Sequence, residues 1–370
     1  MNVLITGADG FIGKNLLVHL RELKNVTVDT FTRGDDVASL PGKVAGADFI
    51  FHLAGINRPQ DPQEFTTGNV DLTRALADAI RASGRSVPML YSSSTQAAAD
   101  NVYGASKRGA EKLLQELQAA SGSPVYLFRL PNVFGKWARP NYNSAVATFC
   151  HNIARDLPIQ INDPQARVNL VYIDDVIRCF LQVMHGERAG DTFVEVEPQY
   201  NASVGEIAEH LHAFRDSRKS LITEPVGTGF IRALYSTYVS YLPQERFTYE
   251  VPKYGDERGV FVEMLKTGDS GQFSYFTAHP GVTRGGHYHH TKTEKFLVIK
   301  GTASFRFRHM VTDEFYELQT TGDKPVIVET VPGWTHDITN IGDEEMVVML
   351  WANEIFDREL PDTYAKPLNA

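Results

Sequence analysis

The sequence predicts a two-part architecture: an N-terminal α/β domain on a doubly wound parallel sheet, then a smaller C-terminal all-β domain. The length of 370 residues exceeds what one hydrophobic core usually holds. Up to about residue 180, short apolar β-type runs alternate with longer helical patterns, the order that builds a parallel sheet covered by helices on both faces. From about residue 250, closely spaced β-type runs broken by Gly, Pro, Asp and Asn take over, the pattern of a sandwich or small barrel.

The elements follow in order. NVLIT precedes FIGKNLLVHLREL; VTVDTFT follows; ADFIFHLAG precedes NVDLTRALADAIRAS; VPMLYSSS precedes YGASKRGAEKLLQELQAA; SPVYLFRLPNVFG comes next. The later β runs are RGVFVEMLK, GQFSYFTAH, EKFLVIKGTASFRFRHM, KPVIVETVP and EMVVMLWAN. Between the two regimes, STYVSYLPQERFTYEVPKYGDERG carries little apolar periodicity and two prolines, which sets a boundary near 245 and domains of 1–245 and 246–370.

Composition narrows the function classes. A hydrophobic content of 42% and a charged content of 22% are ordinary for a globular protein. The net charge of -9 and the absence of a Lys/Arg run argue against a nucleic-acid binder. No window approaches the apolar length of a membrane span, and MNVLITGADG has no signal-peptide pattern. Cys150 and Cys179 are too few for a disulfide framework and suit a reducing compartment, so a cytoplasmic protein is expected.

Gly7, Gly10 and Gly13 in TGADGFIG stand where a buried strand turns into a helix, a turn in which the backbone can approach a pyrophosphate at the helix N-terminus. Arg33, 20 residues after Gly13, meets the position where an arginine receives a 2′-phosphate and so favours NADP(H); Asp29 and Asp35 keep NAD(H) open. Tyr103 and Lys107 in YGASK share one helix face, and an ammonium beside a phenol near a nicotinamide suits proton transfer coupled to hydride transfer. The preceding strand ends in Ser92, Ser93 and Ser94, any of which offers a hydroxyl for the substrate oxygen.

These motifs resemble the extended short-chain dehydrogenase/reductases that act on nucleotide sugars. TGADGFIG matches the cofactor fingerprint, HLAG (His52 to Gly55) the third-strand motif, YSSS the serine motif and YGASK the catalytic pair; RLPNVFG (Arg129 to Gly135) and VYIDDV (Val171 to Val176) match later signatures. The resemblance implies a Rossmann-type sheet, a catalytic triad of Ser94, Tyr103 and Lys107, and cofactor contacts at Gly7, Gly10, Phe11, Ile12, Gly13, His52, Leu53, Ala54 and Lys107. It also implies nucleotide-sugar contacts at Asn132 and Arg167. Ser94 and Tyr103 are nine apart, closer than is usual in the family, which leaves Ser93 and Ser94 as alternatives.

The second motif is GVTRGGHYHHTKTEKFLVIKG. Gly281, His287, His289, Glu294 and Gly301 have the spacing G-x5-H-x-H-x4-E-x6-G. Histidines two apart on a strand face one side, a carboxylate from the next strand can join them, and His336 or Asn340 in PGWTHDITN can supply a fourth ligand. That donor set suits Zn, with Mn, Fe or Ni as alternatives. The segment resembles the cupin superfamily, implying a β-barrel whose ligands are His287, His289, Glu294 and His336.

DERGVFVEM (Asp256 to Met264) with RGGHY (Arg284 to Tyr288) resembles the epimerase branch that makes deoxyhexoses from 4-keto nucleotide sugars, where the RGxH histidine is a proton-abstracting base. A metal-bound nitrogen cannot take a proton, so His287 is read as a ligand and the base is left among His290, His309, Lys295 and Tyr288. With KWARPNYNSAVATFC (Lys136 to Cys150) and LYSTYVSYLP, the whole chain resembles bifunctional capsular-polysaccharide enzymes that fuse a reductase to an epimerase-like cupin. The resemblance implies C3 epimerisation of a UDP-linked 4-keto-6-deoxy amino sugar, then NADPH-dependent reduction at C4, on the route to UDP-N-acetyl-L-fucosamine. Both resembled families usually pair, so it also implies a homodimer.

Overall fold

The computed structural model describes residues 1–188, 192–251, 253–256, 259–262, 265, 271–354 and 359–368. In chain order the elements are β1 Asn2–Thr6, α1 Phe11–Arg21, β2 Thr27–Phe31, α2 Leu40–Gly46, β3 Phe49–His52, α3 Leu72–Ser83, β4 Met89–Ser94, α4 Val102–Ser121, β5 Val125–Leu130, β6 Asn132–Phe134, α5 Ala145–Ile153, β7 Arg167–Tyr172, α6 Ile173–Met184, β8 Gln199–Ser203, α7 Val204–Ser220 and α8 Gly229–Ser240. Strands then take over: β9 Thr248–Glu250, β10 Lys253–Asp256, β11 Gly259–Val262, β12 Gln272–Ala278, β13 Thr283–Tyr288, β14 Glu294–Lys300, β15 Thr302–His309, β16 Phe315–Thr321, β17 Val326–Glu329, β18 Trp334–Asn340, β19 Met346–Ala352 and β20 Tyr364–Ala365.

The chain divides into two compact units, residues 1–139 with 168–201, and residues 140–167 with 202–370. Secondary structure changes character between α8 and β9, near the boundary read at 245. The compact second unit nevertheless reaches back to include α5, α7 and α8: α7 and α8 attach to the β strands by buried bonds, and α5 packs against these two helices. Arg218 of α7 meets Glu329 of β17, and Ser236 of α8 donates to the Thr291 carbonyl at 2.6 Å.

In the first unit, β2-β1-β3-β4-β5 form a parallel sheet, as the alternating pattern predicts. The inner strands β1, β3 and β4 are buried along almost their whole length, whereas β2, TVDTF at the sheet edge, is largely exposed. Leu4, Ile50, Met89 and Leu127 are buried with Leu76 and Ile80 of α3 and Leu114 and Leu117 of α4. α4 starts where Asn101 accepts a hydrogen bond from the Gly104 amide at 2.7 Å and stops at Gly122 in the left-handed region. The strand order reverses between β1 and β3, so the loops after those strands flank the crevice where a doubly wound sheet takes its ligand. β6, β7 and β8 form a small separate sheet.

In the second unit two five-stranded sheets run β12-β19-β14-β17-β9 and β16-β15-β18-β13-β20, with antiparallel pairing throughout. Phe296 of the first meets Phe305 of the second at 5.7 Å between ring centres, and Trp351, Val348, Ile327 and Phe307 are buried. β10 and β11 form a hairpin. The Asp256 to Met264 motif lies in part outside the described residues.

Candidate active site and metal centre

The loop after β1 is closed by its glycines. Gly7 has φ +75°, and a Cβ there would lie 2.6 Å from the Ala54 amide nitrogen; one on Gly13 would lie 2.3 Å from the Gly7 carbonyl oxygen. The backbone of TGADGFIG is thereby held against the loop after β3, and α1 begins at Phe11, just after Gly10, with no side-chain cap on its first amides. Those unoccupied amides at Phe11, Ile12 and Gly13 suit a pyrophosphate.

His52 lies beneath this loop, fully buried. Thr6 Oγ1 is 2.7 Å from its Nδ1 and Thr73 Oγ1 is 2.8 Å from its Nε2. The Thr73 hydroxyl donates to the Asn69 carbonyl at 2.6 Å, and Thr6 Oγ1 accepts from the Ala54 amide at 3.2 Å. This network assigns the proton to Nε2 and makes one chain from Ala54 through His52 to α3. Burial pulls the His52 pKa down to about 3. His52 therefore braces the Leu53–Ala54 loop from behind and offers no free ring nitrogen to a cofactor. Arg33 is exposed in the turn after β2.

Ser94, Tyr103 and Lys107 come together at the end of β4. Tyr103 is half-buried, which raises its phenol pKa, while a hydrogen bond with Ser94 opposes the rise. Lys107 is buried, its Nζ 3.0 Å from the Ser92 carbonyl oxygen and 6.0 Å from the Tyr103 ring centre. Burial lowers its pKa to about 8 against the upward pull of Glu111. Ser93 points elsewhere: its hydroxyl donates to Glu111 Oε1 at 2.5 Å, and Arg129 grips both Glu111 oxygens at 3.0 and 2.7 Å. The structure thus sets Ser94 beside Tyr103 and commits the Ser93 hydroxyl to the Glu111–Arg129 ion pair. Glu111 was not singled out in the sequence, although it stands four residues after Lys107 on the same helix face.

Asn132 is exposed on β6, its amide nitrogen 3.1 Å from the Asn169 carbonyl oxygen. Arg167 is exposed at the start of β7, with Nη1 4.0 Å from Glu206.

In the second unit, His287 on β13, His289, Glu294 at the start of β14 and His336 on β18 converge so that one ligand atom from each lies within 4.8 Å of the others. A register shift between Gly285 and His287 puts His287 directly across from His336. Gly285 and Gly286, at φ +96° and +72°, make that bulge, and it aims the histidine. His289 Nδ1 donates to the Asp362 carbonyl at 2.6 Å, which leaves Nε2 as a lone pair 3.1 Å from Glu294 Oε2. Two acceptors facing each other need a cation between them, a proton or a metal ion. His336 Nε2 lies 3.5 Å from the same oxygen, and neither of its buried ring nitrogens makes a hydrogen bond. Three imidazoles and a carboxylate whose ligand atoms converge this closely are a donor set that suits a divalent metal. Burial and the neighbouring His336 and His289 hold the His287 pKa near 3.

Asn340 is not part of the cluster: its amide donates to the Ala278 and Glu344 carbonyls at 2.9 and 2.8 Å, and its oxygen accepts from Gly342 at 2.9 Å. Lys295 is bound to Glu329 and to Tyr249 Oη. His309 accepts the Val311 and Thr312 amides on Nδ1 at 3.2 and 3.0 Å. Tyr288 and His290 form a second ring cluster with Tyr364.

The sequence profile of the NAD-dependent epimerase/dehydratase family matches residues 3–197, and that of the polysaccharide biosynthesis C-terminal domain matches residues 254–364. The chain is 64% identical over 99% of its length to a UDP-2-acetamido-2,6-beta-L-arabino-hexul-4-ose reductase of Pseudomonas aeruginosa, covering 98% of that protein. It is similar to the crystal structure of the capsular polysaccharide assembling protein CapF of Staphylococcus aureus, with 42% identity and a TM-score of 0.69 over 99% of this chain and 100% of that one. A crystal structure of CapF with the inhibitor 3-isopropenyl-tropolone is similar at 38% identity and a TM-score of 0.64, over 99% and 100% of the two chains. The chain therefore belongs to the NAD-dependent epimerase/dehydratase family, in the group that carries a polysaccharide biosynthesis C-terminal domain.

Proposed function

We propose that the chain is a bifunctional nucleotide-sugar enzyme. Residues 246–370 act as a cupin barrel that epimerises C3 of a UDP-2-acetamido-2,6-dideoxy-4-hexulose. Residues 1–245 then reduce C4 with NADPH, giving a UDP-2-acetamido-2,6-dideoxy-L-talose on the way to UDP-N-acetyl-L-fucosamine for capsule or O-antigen polysaccharide. The observation that carries this reading is the 64% identity, end to end, to a relative named for reducing a UDP-linked hexul-4-ose.

A bound nicotinamide cofactor supplies the hydride. Tyr103 gives its phenol proton to the C4 oxygen, and a phenol pKa raised by burial keeps that proton in place at neutral pH. Ser94 orients the oxygen, and the Lys107 charge stabilises the phenolate left behind. Arg33 is exposed and open to a 2′-phosphate, whereas Asp29 is paired with Lys43 at 2.8 Å and Asp35 holds the Thr32 amide at 2.7 Å, which favours NADPH. Asn132 and Arg167 contact the nucleotide sugar.

His287, His289, Glu294 and His336 hold a divalent metal, for which zinc fits the donor set. A tropolone inhibitor of a relative adds support, since its adjacent carbonyl and hydroxyl oxygens chelate such ions. We place the protein in the cytoplasm as a homodimer; among the described residues no helix is long and apolar enough to cross a membrane.

A second reading has specific support. Four protein ligands leave no open position on a tetrahedral metal, and Lys295 and His309 are engaged elsewhere; on this reading the β domain is structural and the enzyme a single-reaction reductase. Proton NMR in heavy water with the UDP-4-keto sugar separates the two. Deuterium at C3 without NADPH that survives Tyr103→Phe and vanishes in His287→Ala supports two steps. Reduction at C4 without C3 exchange leaves the single-step reading.

A further inference from the structure

We propose that Asp362, in the C-terminal tail, is the positioning residue of the metal centre: its carboxylate shapes the loop joining the ligands while its carbonyl orients His289. This rests on the metal-centre reading above. The carboxylate of this half-buried residue lies against the segment His290–Thr293, which separates the histidine pair from Glu294. Oδ1 accepts the His290 amide at 2.9 Å, and Oδ2 accepts the Thr291 amide at 2.8 Å, the Lys292 amide at 2.7 Å and the Thr291 hydroxyl at 2.9 Å. Three consecutive amides converging on one anion fix the path of the loop.

The same residue acts through its backbone. Its carbonyl accepts His289 Nδ1–H at 2.6 Å, which sets the tautomer and turns Nε2 toward Glu294. Partners of this kind on a ligand's far nitrogen raise its basicity and fix its ring, and losing them typically costs about 10–100-fold in metal affinity. The tail is anchored on either side. Lys292 Nζ donates to Thr363 Oγ1 at 2.7 Å, and β20 pairs with β13 so that His287 lies opposite Ala365. Asp362 takes a φ of +35°, a conformation that asparagine tolerates better than most residues.

The test is the affinity of the purified full chain for Zn²⁺, measured by competition with a chromophoric chelator, for the parent, Asp362→Ala and Asp362→Asn. The visible spectrum of the Co²⁺-loaded proteins reports geometry alongside. The proposal expects a dissociation constant about 10–100-fold higher in Asp362→Ala, a weakened tetrahedral Co²⁺ band, and an intermediate value in Asp362→Asn. An affinity and spectrum equal to the parent in a folded Asp362→Ala overturn it while leaving the metal centre standing. If Asp362→Ala does not fold, an Asp362→Asn protein with parent affinity and spectrum overturns it equally. A parent chain that takes up neither Zn²⁺ nor Co²⁺ overturns both the proposal and the metal centre.

Discussion

Lys107 sits where burial and a counter-charge pull its proton affinity in opposite directions. Burial wins, bringing its pKa to about 8, while Glu111 one helical turn on resists the fall. The groups around the ammonium are Tyr91 with its ring centre at 4.8 Å, Tyr103 at 6.0 Å and the neutral His52, with Arg129 reaching it only through Glu111. If the charged lysine is needed, kcat/KM for reduction falls as pH rises through about 8. Glu111→Gln removes the charge that supports the ammonium and should move that limb down by about one pH unit. Arg129→Gln frees the same carboxylate and should move it up. Opposite shifts in a pH–rate profile cannot come from general destabilisation; two variants whose limb stays near the parent's would sink the argument. Tyr103→Phe should lower kcat/KM by about 10²–10⁴-fold at every pH. At this scale the sequence was readable where spacing alone decides, as in YGASK. Ser93, Glu111 and Arg129 meet only through the pairing of β4 with β5, in which Ser93 lies opposite Arg129, so their link could not be read along the chain.

Element order was legible because each period reports burial: apolar strands covered on both faces, amphipathic helices between them, then alternating antiparallel strands. Packing across elements was not. Lys295 of β14 reads as a candidate base in the sequence, yet in the fold it is buried against Glu329 of β17, which also receives Arg218 of α7. The carboxylate resists its own burial because two cations hold it below the ordinary glutamate range, and Lys295 is held above the ordinary lysine range by Glu329. Glu329→Gln would leave Lys295 buried beside Arg218 without a counter-charge. The expected loss is about 3–5 kcal/mol, read as a lower urea midpoint at unchanged m-value. Acid should act in the same direction: a depressed carboxylate gives stability that is complete above its ordinary pKa of 4.5 and is lost as pH falls through the lower folded value. A midpoint within error of the parent would show that the ionic cluster contributes nothing net.

For the whole molecule, the division of labour read from the sequence and the compact units do not coincide, and the difference has a measurable consequence. A chain cut at 245 to give residues 246–370 keeps the four candidate metal ligands and loses α7 and α8. Glu329 would lose Arg218, the Thr291 carbonyl would lose the Ser236 hydroxyl, and Glu354 would lose Arg232, which lies 3.4 Å from it. Thr291 carries the most weight, because its amide and hydroxyl also bind Asp362 beside the candidate metal ligands, so the helical segment and the tail clamp one loop from two directions. Glu329 keeps Lys295 and loses one of its two cations, and each buried neutral group left without its partner costs about 1–3 kcal/mol, a large share of the 5–15 kcal/mol that usually holds a domain together. We therefore expect residues 246–370 alone to melt well below the full chain, or to aggregate, and to bind Zn²⁺ more weakly. A soluble fragment with a cooperative transition and the full chain's zinc affinity would show instead that the β strands fold and build the metal centre without the helices.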